Sequence, residues 1–183
     1  RNREPGKTKD AVNEILQKMS LEEKVGQVIV AYFTGPEFGS APAEELRELP
    51  LGGVILFSSA GNIESPAQVA GLTEQIQQAA LDSGIVPLFI AVDQEGGAVA
   101  RLTEGVTVFP GNMALGATGS EELARLSAAV IARELRILGI NFNFAPVVDV
   151  NNNPANPVIG VRSFGSDPQE VAGLGRAMVA PYR

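Results

Sequence analysis

The chain has 183 residues, 45% of them hydrophobic, with 14 basic against 21 acidic side chains and a net charge of −7. That is enough apolar material for one domain with its own core, and it excludes a disordered chain. The acidic balance and the lack of a basic stripe argue against a phosphate-backbone ligand, so no nucleic acid partner is expected.

Cysteine and histidine are both absent. Their absence removes disulfides, thiolate zinc sites, the commonest metal ligand and the commonest general base at neutral pH. No apolar run approaches the roughly 20 residues that span a bilayer, and none reads as the apolar core of a signal peptide. No transmembrane segment is expected.

Residues 1–10 are polar, contain Pro5-Gly6 and lack an initiator methionine, which reads as a leader or linker. A processed, exported or envelope protein fits that start, and a trimmed cytoplasmic one would look the same. Val12, Ile15, Leu16 and Met19 fall at helical spacing, and Ser20-Leu21-Glu22-Glu23 has the form of a capping box. Val25 to Phe33 reads as a buried strand, Thr34 to Ser40 as a loop, and Glu44 to Leu49 as one or two helical turns.

Gly52 to Phe57 reads as a second strand, with the polar loop Ser58 to Asn62 beyond it. Ser65-Pro66 predicts an N-cap with proline at the first helical position, and Val69, Leu72, Ile76 and Ala79 form one face of a helix that stops near Gly84. Leu88 to Val92 is the third strand. A helix from about Ser120 to Leu138 is predicted to turn Leu123, Leu126, Val130 and Ile137 inward, with Gly139 as its stop. Ile140 to Ala145 makes a fourth strand, and Asp167-Pro168 starts a last helix carrying Val171, Leu174 and Met178. Four strand-plus-helix units in series predict an α/β protein with a parallel sheet, either doubly wound or closed as a barrel.

The stretch Asp93-Gln94-Glu95-Gly96-Gly97, with Arg101 close behind, carries the strongest functional signal. The uninterrupted apolar run before it is the pattern of a parallel strand buried on both faces, and ligands gather beyond the carboxyl ends of such strands. Asp93 sits at that end. Glu95 reads first as structural, capping backbone amides or pairing with Arg101; the lesser reading of Arg162 is an anchor of its loop to Asp149 or Asp167. Asp149 with Asn151, Asn152 and Asn153 lacks the spacing of a calcium loop and is read as loop-ordering Asx turns, with no metal site expected. Nothing has the spacing of a P-loop or of GxGxxG, so no nucleotide cofactor is called for.

Asp93-Gln94-Glu95-Gly96-Gly97 with Val99 and Arg101-Leu102, followed by Phe109-Pro110 and Met113 to Thr118, resembles the N-terminal barrel domain of family 3 glycoside hydrolases, and within it the bacterial β-N-acetylhexosaminidases. Gly139 to Val150 and Asn156-Pro157-Val158-Ile159-Gly160 with Arg162-Ser163-Phe164-Gly165 keep the same order. Ala98 departs from the pattern, which more often has arginine or another polar residue there.

The resemblance implies the first half of a TIM (β/α)8-type barrel, four units of it over residues 11–183. It implies sugar contacts from Asp93, Arg101 and Arg162, and a carbohydrate substrate with terminal N-acetylglucosamine. It also implies retaining hydrolysis with no cofactor. The family's Lys-His pair, histidine-aspartate acid/base and aspartate nucleophile lie beyond the fourth strand, so the resemblance implies no catalytic residue in this chain and a missing C-terminal half of the barrel. A β-glucosidase or xylosidase of the same family, or a non-catalytic sugar-binding half-barrel, are the alternatives.

Overall fold

The structure, a computed structural model, describes residues 5–182. Its first unit holds α1 (Pro5–Lys18), α2 (Leu21–Gly26), β1 (Val30–Ala31) and α3 (Ser40–Glu48). β2 (Gly53–Ile55) and α4 (Pro66–Asp82) form the second. The third runs through β3 (Phe89–Val92), β4 (Gln94–Gly96), β5 (Val99–Ala100), α5 (Asn112–Thr118) and α6 (Glu121–Ile137). The fourth is β6 (Phe142–Asn143), a 3-10 turn at Gly160–Arg162, and α7 (Pro168–Val179).

The main sheet has the order β1-β2-β3-β6, every pair parallel. Successive strands are neighbours with no reversal of order. A doubly wound sheet reverses at a switch point; an arc of a (β/α)8 barrel does not. The chain is an α/β fold of the barrel type.

One face of the arc is the core. Val54, Leu56, Ile90 and Val92 pack against Val69, Leu72 and Ile76 of α4 and Ile131 and Leu135 of α6. A fully buried side chain such as Ile76 contributes about 1.5–3 kcal/mol. A smaller cluster of Leu115, Phe164, Val171, Leu174 and Met178 joins α5, α6 and α7. The opposite face carries Phe89, Phe142 and Phe144, whose rings meet at 5.5 and 4.7 Å and stay about half exposed. In a closed barrel that face is the interior.

Local signals place the helix starts. Ser20 and Glu23 form the reciprocal capping box, Ser65 caps α4 by accepting from the Gln68 amide, and Asp167 caps α7 through the amides of Gln169 and Glu170. Four expectations change.

Residues 1–4 of the expected leader lie outside the described residues, and from Pro5 the chain is already helical, as the fixed φ of proline in a first turn allows. The first strand is Val30–Ala31 rather than Val25 to Phe33, because α2 takes the chain as far as Gly26. β6 is likewise two residues long.

The face of α6 is the fourth. Leu123, Leu126, Val130 and Ile137 are exposed, while Ala124, Ser127, Ala128, Ile131, Ala132 and Leu135 are buried. Two apolar stripes run along this helix, and the one with small side chains turns inward because it lets α7 approach closely. Ala124 and Ala128 of that stripe pack in one cluster with Val171, Leu174 and Met178 of α7.

Candidate functional site

β3 ends in a buried Val92, and Asp93 emerges at the carboxyl edge of the sheet, about one-fifth exposed. Gly96 and Gly97 then adopt φ of 93° and 60°, a left-handed pair that folds β4 back onto β5 as a short antiparallel hairpin. The hairpin returns Arg101 to Asp93: Arg101 Nη2 donates to Asp93 Oδ2 at 3.0 Å. The guanidinium carbon also stands 5.7 Å from the centre of the Phe57 ring, a cation–π contact beyond β2.

A buried amide fixes this return. Gln94 Oε1 accepts from the backbone amides of Arg101 and Leu102 at 2.9 and 3.0 Å, and its Nε2 donates to the Leu102 carbonyl at 2.8 Å. Gln94 is in turn held by Asn143 at the end of β6, which accepts from its backbone N–H and donates to its carbonyl. The Ser58 hydroxyl donates to the Arg101 carbonyl at 3.0 Å, tying the loop after β2 to the same place. Three strand ends thus set the position of one guanidinium.

Glu95 turns the other way. Its carboxylate is 4% exposed and receives Arg162 at two points, Nε to Oε2 at 3.0 Å and Nη2 to Oε1 at 2.6 Å. The partners expected for these two residues are therefore corrected: Arg101 takes Asp93 rather than Glu95, and Arg162 takes Glu95 rather than Asp149 or Asp167. Asp167 is committed to its helix cap, and the Asp149 carbonyl accepts from the Ser163 hydroxyl at 2.6 Å. The hydrogen bonds that Arg162 donates to Glu95 are the main cause that lifts it above the usual arginine range; burial opposes them, and the charges of Glu95, Asp149 and Asp93 reinforce them. Arg162 stays charged and lies within the electrostatic reach of Asp93.

The backbone around Arg162 is pinned separately. Asn112, buried at the start of α5, donates to the Arg162 carbonyl at 2.8 Å and to the Val147 carbonyl at 3.3 Å. Of the four residues read as loop-ordering Asx turns, Asn153 makes one, its Oδ1 accepting from the Ala155 amide; Asn156, outside that reading, makes another with the amides of Val158 and Ile159. Among the described residues no group of three or more histidine, cysteine, aspartate or glutamate side chains is placed to hold a metal ion. No helix among them is long and apolar enough to cross a membrane.

The structure brings Asp93 and Arg101 into contact and sets Arg162 against Glu95 beside them. Sequence reading missed Gln94, Asn112 and Asn143 as the groups that build this wall. The asparagines alternating with Phe142 and Phe144 were the visible signal: an amide every second residue in an apolar strand has to find backbone partners.

The profile of the Glycosyl hydrolase family 3 N terminal domain matches residues 20–183. The chain belongs to glycosyl hydrolase family 3. Among its relatives in the family, β-hexosaminidase A of Pseudoalteromonas piscicida is 49% identical over 145 residues, which are 76% of this chain and 24% of that protein. A protein of Cellulomonas fimi named β-N-acetylglucosaminidase/β-glucosidase is 38% identical over 92% of this chain and 28% of its own length. The solved family 3 β-N-acetylglucosaminidase from Paenibacillus sp. str. FPU-7 superposes with a TM-score of 0.86 at 52% identity, covering 90% of this chain and 31% of that one. The chain spans about a quarter to a third of the length of these relatives.

Asp93 and Glu95 are each held in an ion pair with a guanidinium group.

Proposed function

We propose that the protein carrying this chain is a retaining glycosidase that removes terminal β-linked N-acetylglucosamine, and that Asp93, Arg101 and Arg162 hold the terminal sugar. The observation that carries this reading is the Asp93–Arg101 pair at the carboxyl end of β3, on a family 3 scaffold whose relatives are named β-hexosaminidases and β-N-acetylglucosaminidases. Charge-assisted hydrogen bonds from a carboxylate and two guanidinium groups fix the hydroxyls of a pyranose in one orientation and strengthen as water leaves.

These three residues bind and orient; they do not cleave. Retention proceeds through a covalent glycosyl-enzyme, with a carboxylate nucleophile and a separate acid/base, and needs neither metal nor organic cofactor. Peptidoglycan fragments ending in N-acetylglucosamine are the substrate class proposed for a bacterial member.

A second reading is a β-glucosidase or xylosidase, favoured by the double name of the Cellulomonas fimi relative. Paired chromogenic N-acetyl-β-glucosaminide and β-glucoside substrates, given to the full-length gene product, separate the two. A kcat/KM higher on the acetamido sugar supports the first reading; a higher value on the glucoside supports the second. Hydrolysis of neither, with sugar binding retained, leaves the non-catalytic reading.

A further inference from the structure

We infer that Glu95 is a positioning residue for substrate, acting through Arg162. The inference rests on Arg162 being a sugar contact, and it adds a residue that does not itself reach the sugar.

The argument starts from a count of donors. An arginine side chain has five N–H donors in a rigid plane. Glu95 takes one from Nε and one from Nη2, at 3.0 and 2.6 Å, and the Val158 carbonyl lies 3.5 Å from Nη1. Two donors remain, one on each terminal nitrogen, as an end-on guanidinium fork requires. That fork matches two neighbouring oxygens, as on adjacent ring carbons of a sugar. The side chain is 26% exposed, so it reaches the surface, whereas its carboxylate partner at 4% does not.

A guanidinium can swing through several rotamers unless something holds it. Binding Nε fixes the plane, because Nε sits on the side of the group that attaches to the chain; a contact to one terminal nitrogen alone would leave the plane free to rotate. The carboxylate that supplies this contact comes from β4, while Arg162 sits in a 3-10 turn 67 residues later whose backbone Asn112 already pins. A surface ion pair would tolerate loss of either partner. This one has a buried acceptor whose only salt-bridge partner among the described residues is Arg162. Glu95 therefore costs its own desolvation in order to present a fork that it does not use, which is the arrangement of a support behind a ligand contact.

The test uses the full-length gene product and a chromogenic N-acetyl-β-glucosaminide, with Glu95→Gln, Arg162→Ala, the double variant, and Glu95→Asp. Glu95→Gln keeps the shape and removes the charge; it is expected to raise KM about tenfold, the scale of one charged hydrogen bond, with kcat within about twofold. Arg162→Ala is expected to raise KM further, and the double variant to match Arg162→Ala alone, since Glu95 acts only through the arginine. Glu95→Asp, which keeps the charge, is expected to recover part of the lost affinity. Melting temperatures of all variants are measured alongside.

Effects of Glu95→Gln and Arg162→Ala that multiply in the double variant, or a Glu95→Gln with wild-type KM, overturn the inference while leaving the glycosidase reading in place. If both Glu95 variants fail to fold, Glu95 is a core residue and the inference is overturned as well. A wild type that neither binds nor hydrolyses the sugar overturns both readings together.

Discussion

The side-chain amide of Asn143 grips the main chain of Gln94 on both sides, accepting from its N–H at 2.9 Å and donating to its carbonyl at 3.0 Å. A side chain here does the work of a ladder strand, continuing the β3–β6 pairing beyond Asp93. The second amide hydrogen of Asn143 goes to the Tyr182 hydroxyl at 3.0 Å. Asn143→Ala is expected to remove all three bonds and cost about 2–3 kcal/mol, read as a shift in urea midpoint. Sugar affinity should fall with it, since Gln94 sets the register of Arg101. A variant within about 0.5 kcal/mol of wild type, the range of a neutral surface change, would show that the clamp is dispensable.

The hairpin turn makes a controlled comparison possible. Gly97 and Gly119 have nearly the same left-handed φ, 60° and 62°, but a Cβ on Gly97 would stand 2.7 Å from Gly111, whereas one on Gly119 would meet nothing within 4 Å. Gly119→Ala should cost only the backbone term, about 1–2 kcal/mol. Gly97→Ala should cost visibly more in thermal melting, because the backbones of Gly97 and Gly111 must separate. Equal losses would mean that the hairpin yields without resistance.

Arg101 separates binding from stability. Its pair with Asp93 is a third exposed on the arginine side, so the bridge contributes about 0–1 kcal/mol to folding. Arg101→Lys keeps the charge but loses the planar fork and the stacking over Phe57. We expect a melting temperature close to wild type and, in the full-length gene product, a KM for the acetamido sugar raised about tenfold, the loss of one charged hydrogen bond. An unchanged KM would remove Arg101 from the proposed sugar contacts.

Much of the scaffold could be read directly, for identifiable reasons. Helix starts are local events: a capping side chain and its amide lie two or three residues apart, so Ser20, Ser65 and Asp167 were all legible. Asp93 was legible as the polar residue that ends an apolar strand. What could not be read depended on distant contacts. The inward face of α6 was decided by the closeness of α7, which selects the alanine stripe over the leucine stripe. Glu95 lies nearer to Arg101 in sequence than Asp93 does, yet its carboxylate turns into the interior and meets a turn 67 residues away. Asn143 was visible as an amide in an apolar strand, but nothing near it or near Gln94, 49 positions away, names the other as its partner.

Tyr182 gives the pH dependence. Burial lifts its hydroxyl above the ordinary tyrosine value of about 10, and the hydrogen bond from Asn143 offsets only part of that. Below the ordinary value both folded and unfolded chains keep the proton, and the contribution to stability is complete. As pH rises through the ordinary value the unfolded chain ionises first, and stability is lost until the higher folded pKa is passed. Urea midpoints at about pH 8 and about pH 10.5 should therefore fall more steeply for wild type than for Tyr182→Phe. Parallel slopes would show that the hydroxyl titrates freely in the folded protein.

The two ion pairs of the wall differ in the length of chain they close. Asp93 and Arg101 are 8 residues apart, whereas Glu95 and Arg162 are 67 apart. Each doubling of a loop adds about 0.6 kcal/mol of closure entropy, and three doublings separate these spans, so the second pair starts about 2 kcal/mol behind the first. The Asp93–Arg101 pair closes within a single hairpin. Arg162 can dock only after α5, α6 and β6 have brought its turn back to the sheet. The Glu95–Arg162 contact thus carries the larger share of the ordering cost of the wall.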